Sequence, residues 1–419
     1  MRGLRRWIGV GAALGVIVAL VPVVRGSIAI DAPLRKLSSA VGVAPKSKEP
    51  PKLEGLDLLR LDLRPQRVTA PLKGGALAEL TLDPALQRAA RAQMQKYRIP
   101  EAGVVVQEVK TGRLLAYASY VNEGEAFDVN VRAEAPAASV FKVITGAALV
   151  ERGGQTSESE QCYHGGKSRI LPDELIDDPR RDKWCATLAI AMGRSLNVVF
   201  GRMAQKYLTP EDVAQMGGAF GFGAPVPFVV PNEVPKIAIP QEPLEFARAS
   251  AGFWHTHLSP LLGVSIAQTV ANGGVTLEPR IVQAVSRGGE EIWREERDPR
   301  VLRRAIKPET ASEVSRMMRE TVTNGSAYKS FHDAKGKPYL PGVAVAGKTG
   351  TLTSYKQNRY YTWFVGFAPA NAPEVAISTL VVNTPTWQIK APQLAREVLR
   401  AYFEKKPTRL SDRVARAEP

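Results

Sequence analysis

A serine and a lysine stand three residues apart in Ser139-Val140-Phe141-Lys142, so the two share one face of the helix that the surrounding sequence predicts. Pro136 precedes that helix, and Val140, Phe141, Val143, Ile144, Ala147, Ala148 and Leu149 make it apolar nearly all round before Gly153-Gly154 ends it. Such a helix is buried, and a lysine in its first turn has little water to hold its charge. Desolvation lowers a lysine pKa and turns an inert ammonium into a general base for the hydroxyl one turn back. Backbone N–H groups at the helix start could meet a developing oxyanion. Ser-x-x-Lys alone is common in long chains, and an N-cap serine beside a snorkelling lysine is the competing reading.

Two further clusters add weight. Ser195-Leu196-Asn197 interrupts the apolar runs 188–192 and 198–200, where a buried Ser and Asn need partners, although local backbone bonds from a helix face would also satisfy them. Lys348-Thr349-Gly350-Thr351 follows the strand-like run 343–347, and Gly350 is expected to let a ligand approach the backbone closely. Lys110-Thr111-Gly112 repeats the triplet but precedes the serine and joins two β-rich runs, 103–109 and 113–119, so it reads as a hairpin turn.

In this order the motifs S-x-x-K, S-x-N and K-T-G resemble the active site of penicillin-recognising serine acyl transferases. The likeness extends to Leu80-Thr81-Leu82-Asp83-Pro84-Ala85-Leu86-Gln87, Thr111-Gly112-Arg113-Leu114-Leu115-Ala116, Val270-Ala271-Asn272-Gly273-Gly274, Asn324-Gly325-Ser326-Ala327 and Trp363-Phe364-Val365-Gly366-Phe367-Ala368-Pro369, and so resembles the transpeptidase domain of penicillin-binding proteins from about Leu80 to Phe403. The resemblance implies a monofunctional peptidoglycan D,D-transpeptidase inhibited by β-lactams, with Ser139 as nucleophile, Lys142 as base, Ser195 and Lys348 relaying a proton, and Asn197 holding the substrate amide. Thr349, Gly350 and Thr351 then bind substrate at the third motif, and neither a metal nor an organic cofactor is needed. Rivals are a D,D-carboxypeptidase, a serine β-lactamase and a non-catalytic scaffold. Glu242-Pro243-Leu244-Glu245-Phe246 half resembles the loop that carries a deacylating glutamate in class A β-lactamases. The family's usual glycine before the nucleophile is Ala138 here, a change expected to restrict the turn only slightly.

These residues need elements to hold them. Asp83-Pro84 forms an N-cap and first-turn pair for a helix with Leu86, Ala90 and Met94 on one side. The two early β-rich runs are matched late in the chain by 343–351, 362–368 and 374–382, followed by a helix over 393–403. Between them, 139–324 reads as mainly helical. The expected fold is α+β: a five-stranded antiparallel sheet flanked by helices, closed across a large mainly helical subdomain.

Arg2, Arg5 and Arg6 precede an uncharged stretch over 7–24, long enough to reach across most of a bilayer, with the basic flank on the cytoplasmic side. A membrane anchor over 1–26 is favoured over a cleaved signal peptide. The expected location is the cytoplasmic membrane, single-pass, with the catalytic domain on its outer, periplasmic side. A Pro- and Lys-rich tether is expected over 27–79, the catalytic domain over 80–405 and a loose tail over 406–419. That tether is too short for a glycosyltransferase, so a separate glycan polymerase is the expected partner, beside peptidoglycan stem peptides, β-lactams and the membrane.

The 419 residues include 44% hydrophobic and 23% charged side chains, which excludes a disordered or fibrous chain. A net charge of +15 suits an anionic neighbour, and export removes the motive for nucleic acid. Export also permits a disulfide between Cys162 and Cys185, the only two cysteines; two idle thiols are the alternative, and the histidines His164, His255, His257 and His332 give no metal-ligand pattern with them.

Overall fold

The computed structural model describes residues 50–166, 169–296, 298–355 and 358–404. The expected anchor over 1–26, most of the first half of the tether and the tail over 406–419 lie outside them. Among the described residues no helix is long and apolar enough to cross a membrane.

Five runs rich in β-branched and aromatic residues form one antiparallel sheet, with strands β1 (Glu101–Glu108), β2 (Leu114–Val121), β3 (Ala346–Ser354), β4 (Arg359–Ala368) and β5 (Val375–Asn383). The order is β3-β4-β5-β1-β2, so the early hairpin adds to the late meander through the β5–β1 pair, with Val382 opposite Glu101 and Val375 opposite Glu108. Side chains of a strand alternate between faces, and β5 is buried along its whole length because both faces are covered. Val375, Ile377 and Val381 join one core with Leu86 and Met94 of helix α1 (Pro84–Lys96) and Leu394, Val398 and Leu399 of the C-terminal helix Ala391–Glu404. Ala376, Leu380 and Val382 join the other core.

That second core belongs to the helical insertion between β2 and β3. Its helices are α2 (Lys142–Glu151), α3 (Leu188–Arg194), α4 (Asn197–Tyr207), α5 (Pro243–Ser250), α6 (Pro260–Ala271) and α7 (Pro308–Thr323), beside the helix Pro210–Phe220. Helix α6 is buried from Pro260 to Val270 and packs on β4, β5 and β1. The α+β layout with its antiparallel sheet is the one expected. Asp83 caps α1 as its sequence suggests, its carboxylate accepting from the Ala85 and Leu86 amides at 2.9 and 2.8 Å.

One boundary needs correction. The tether expected up to residue 79 is folded in its later part: Asp62–Leu63, Val68–Pro71 and Ala76–Leu80 pair with Val282–Arg287 and Glu290–Arg294 in a second five-stranded sheet. Its inward positions include Val68, Ala70, Ala76, Ala78 and Leu80. Alanine carries so little hydrophobic contrast that the alternation is faint among prolines and glycines.

The cysteines are joined. Cys162 and Cys185 face each other across the hairpin of Glu160–Tyr163 and Trp184–Thr187, and a disulfide links them. The fully buried Arg202 of α4 ties that hairpin down, donating to the Cys162 carbonyl at 2.9 Å and to both Asp182 oxygens at 2.8 and 3.0 Å. Since α4 begins at Asn197, the bridge steadies the helix that carries part of the site. With a sequence separation of 23, the chain-entropy relation gives a stabilisation of roughly 3 kcal/mol. Reduction with dithiothreitol is therefore expected to lower the denaturation midpoint, and an unchanged midpoint would contradict this role for the bridge.

Candidate active site

Ser139 lies in a single 3-10 turn, Ala138–Phe141, which runs directly into α2 at Lys142. Ala138 has a φ of 50°, in the left-handed region. A side chain there costs roughly 1–2 kcal/mol, more than the slight restriction expected from the sequence. Gly252 presses on the same turn: a Cβ on it would lie 2.2 Å from the Ala138 carbonyl oxygen.

The Lys142 ammonium is fully buried and makes three contacts: Ser139 Oγ at 3.0 Å, Asn197 Oδ1 at 2.7 Å and the Ala251 carbonyl at 2.6 Å. Burial, with the nearby charge of Lys348, holds its pKa well below the ordinary lysine value. A charged Lys142 donates to all three oxygens. A neutral one still donates to Asn197 and Ala251, and turns its lone pair toward the Ser139 hydroxyl. The Ala251 carbonyl follows the C-terminus of α5, whose Ser250 carbonyl accepts from Thr145 Oγ1 on α2 at 2.8 Å.

Ser195 does not sit on a helix face. It ends α3 in the left-handed conformation, φ 60° and ψ 43°, and α4 starts two residues later at Asn197. The break turns Ser195 Oγ toward Lys348, whose Nζ donates to it at 3.0 Å, and Asn197 toward Lys142. Lys348 on β3 is also fully buried and donates to the Thr349 carbonyl at 2.8 Å. Burial pushes its ammonium down to about 7. Among the described residues no carboxylate pairs with either lysine.

Strand β3 is the sheet edge beside the nucleophile turn. A Cβ on Gly350 would come within 3.2 Å of the Ala137 carbonyl oxygen and of Val140 Cγ2. Close approach of the serine turn is thus a second reason for the glycine, which also lines the cleft beside Thr349 and Thr351. Trp363, opposite Gly350 in the register, donates from Nε1 to the Pro136 carbonyl at 2.9 Å and locks the same turn to β4. Thr349 and Thr351 line an open cleft of about 640 Å³ at the outer side of β3. Ser326, which the sequence reading left without a chemical role, meets Thr349 with its hydroxyl 2.5 Å from Oγ1.

All five residues expected at the reaction centre therefore converge in two lysine-centred clusters, Ser139–Lys142–Asn197 and Ser195–Lys348. The Lys110 triplet stands apart as a hairpin turn: Gly112 has a φ of +79°, and Thr111 donates to Glu108 at 2.5 Å.

The sequence profile of the family described as "Penicillin binding protein transpeptidase domain" matches residues 102–400, which span all three motifs. This chain belongs to the penicillin-binding protein transpeptidase family. Among its relatives, "Peptidoglycan D,D-transpeptidase PbpA" of Mycobacterium tuberculosis is 28% identical over 380 residues, covering 80% of this chain and 74% of the relative. "Stage V sporulation protein D" of Bacillus subtilis is 25% identical over 253 residues, 58% of this chain and 38% of the relative. The imipenem acyl-enzyme complex of penicillin-binding protein A from M. tuberculosis shares the transpeptidase fold, with a TM-score of 0.64 and 24% identity over 78% of this chain and 79% of that one. Its penicillin G acyl-enzyme complex gives a TM-score of 0.62 at 23% identity, covering 78% and 80%.

Proposed function

We propose that this penicillin-binding protein is a peptidoglycan D,D-transpeptidase that works through an acyl-serine intermediate on Ser139 and is inhibited by β-lactams. The observation that carries the reading is the fully buried Lys142 amine 3.0 Å from Ser139 Oγ. A neutral amine in that position takes the hydroxyl proton as Ser139 Oγ attacks the carbonyl of the penultimate D-Ala of a D-Ala-D-Ala stem peptide. The backbone N–H groups of Ser139 and Thr351 are assigned to the oxyanion, where one such donor is typically worth ~2.7–4 kcal/mol. Ser195 and Lys348 pass a proton to the leaving D-Ala amine, Asn197 holds the substrate amide, and Thr349 and Thr351 face the terminal carboxylate. Neither metal nor cofactor takes part in this scheme.

Two observations weigh against the rivals. A scaffold has no use for two buried lysines without carboxylate partners, since burying such charges costs stability. A β-lactamase of the class A kind needs a free carboxylate near the acyl carbonyl. Glu242 is spent as the N-cap of α5, accepting from the Leu244 and Glu245 amides at 3.0 and 2.7 Å. Glu245 is engaged by Arg248 at 2.6 Å and His255 at 3.0 Å. Both stand at the start of α5, whereas its other end, about 12 Å along the axis at 1.5 Å per residue, is the end that meets Lys142.

The deciding experiment is intact mass spectrometry of the protein with benzylpenicillin: one adduct is expected, located on Ser139 and absent from Ser139→Ala. No adduct on the wild-type protein would overturn the reading. We further assign residues 7–24 to a membrane anchor that holds the catalytic domain on the outer face, beside a separate glycan polymerase.

The pH dependence follows from the buried lysines. Lys142 must be neutral to act as base, so acylation rises with pH through its lowered pKa. Lys348 must be charged to donate toward the leaving group, and burial sets its pKa at about 7. Its charge is lost as pH rises above that value. Loss of the Lys348 charge is expected to pull kcat/KM for acylation down as pH rises past about 7, and Lys348→Arg is expected to move that alkaline limb upward. An alkaline limb that stays in place in Lys348→Arg would refute the assignment.

A further inference from the structure

The cleft beside Thr349 and Thr351 is lined on its far side by Lys329 and Lys390, and among its described lining residues there is no carboxylate. Both lysines are exposed, and neither is ion-paired among the described residues. Lys390 is held in position: its amide donates to Gln393 Oε1 at 3.0 Å at the start of the C-terminal helix, and its Nζ lies 4.9 Å from the centroid of the Trp387 ring. Ser326 and Gln393 supply neutral hydrogen-bonding groups on the same wall.

Deacylation by an amine is acylation run backwards with a different amine. The acceptor must therefore reach the acyl carbonyl along the path by which the leaving D-Ala departed. On the assignment above, the leaving D-Ala turns its carboxylate to Thr349 and Thr351, and both of these residues line this cleft. Resting on the transpeptidase reading, we infer that the cleft is the acceptor subsite, and that Lys329 and Lys390 hold a carboxylate of the incoming stem peptide. In the step itself the acceptor nitrogen adds to the ester carbonyl and gives up one proton. The bond from the carbonyl carbon to Ser139 Oγ breaks, and Ser139 Oγ takes up a proton, leaving an amide crosslink and free serine. Water entering the same cleft yields hydrolysis instead. Occupancy of the subsite thus sets the division between crosslinking and trimming.

The test measures that division per acyl-enzyme, so changes in acylation rate drop out. The full chain is acylated by a depsipeptide donor ending in D-Ala-D-lactate, then offered an acceptor amine either with a free carboxylate or as its carboxamide. In the wild type the ratio of aminolysis to hydrolysis is expected to be higher for the carboxylate acceptor, and to fall as salt screens the lysines. In Lys329→Gln/Lys390→Gln the ratio for that acceptor is expected to fall roughly 5- to 10-fold, the scale of one or two exposed ion pairs, with the carboxamide ratio unchanged. Equal ratios for both acceptors in wild type and variant, with the acyl-enzyme forming normally, overturn the subsite and leave the acylation reading standing. Failure of the wild type to acylate overturns both.

Discussion

Lys142→Met leaves the protein folded and lowers the rate of Ser139 acylation by benzylpenicillin about 10²-fold or more, the usual scale for removing a general base. Methionine keeps the linear shape that α2 buries among Val143, Ile144 and Phe200, so the core has little reason to collapse. What disappears is the nitrogen that meets Ser139 Oγ, Asn197 Oδ1 and the Ala251 carbonyl. The last two acceptors lose a donor, at a cost of ~1–3 kcal/mol for each that stays buried and unsatisfied. Thermal denaturation reads that loss separately from the acylation rate, which is followed by mass. An unchanged rate would remove Lys142 from the role of base.

The second large effect is persistence. Rapid hydrolysis of the acyl ester needs a second base to hold and activate water, and both carboxylates of α5 are engaged at the end of that helix remote from Lys142. Each ~1.4 kcal/mol left on the hydrolytic barrier is a factor of ten in lifetime, so several kcal/mol stretch milliseconds to minutes or longer. One equivalent of penicillin is accordingly expected to silence the protein for minutes at least. Sustained turnover of many penicillin molecules per second, with free protein regenerated each time, would instead identify a β-lactamase.

What the sequence revealed and what it hid have separate physical causes. The serine–lysine helix was legible because eight consecutive positions of α2, Lys142 to Leu149, are buried, and apolar side chains mark such a helix plainly. Four of the five strands were legible because Val, Ile, Phe and Tyr concentrate in them; β3 holds none of these and was marked by Val343 and Val345 just before it and by its own threonines. The strands at 68–80 stayed hidden because alanine supplies much of their inward face. The turn at Ser195 was hidden too: its left-handed residue is a serine, with neither glycine nor asparagine to signal it. Nor could spacing reveal the Ala251 carbonyl beneath Lys142 or the hydroxyl of Ser326 beside Thr349, since both partners arrive from distant sequence with no chemical signature of their own.

The β5–β1 pairing has a consequence for how the protein comes into being. It joins residues 375–383 to residues 101–108 across the entire helical insertion. Loop closure grows more costly only with the logarithm of length, ~0.6 kcal/mol per doubling, so the native state tolerates the insertion well. The route to that state does not, because contacts so remote in sequence form late and leave strand edges bare in the meantime. While β5 is still unmade, the hairpin of β1 and β2 lacks its neighbour and β4 has nothing on its far side. Nascent chains that stop just short of β5 therefore present exposed strand edges even though every residue of the reaction centre, up to Lys348, has already been made.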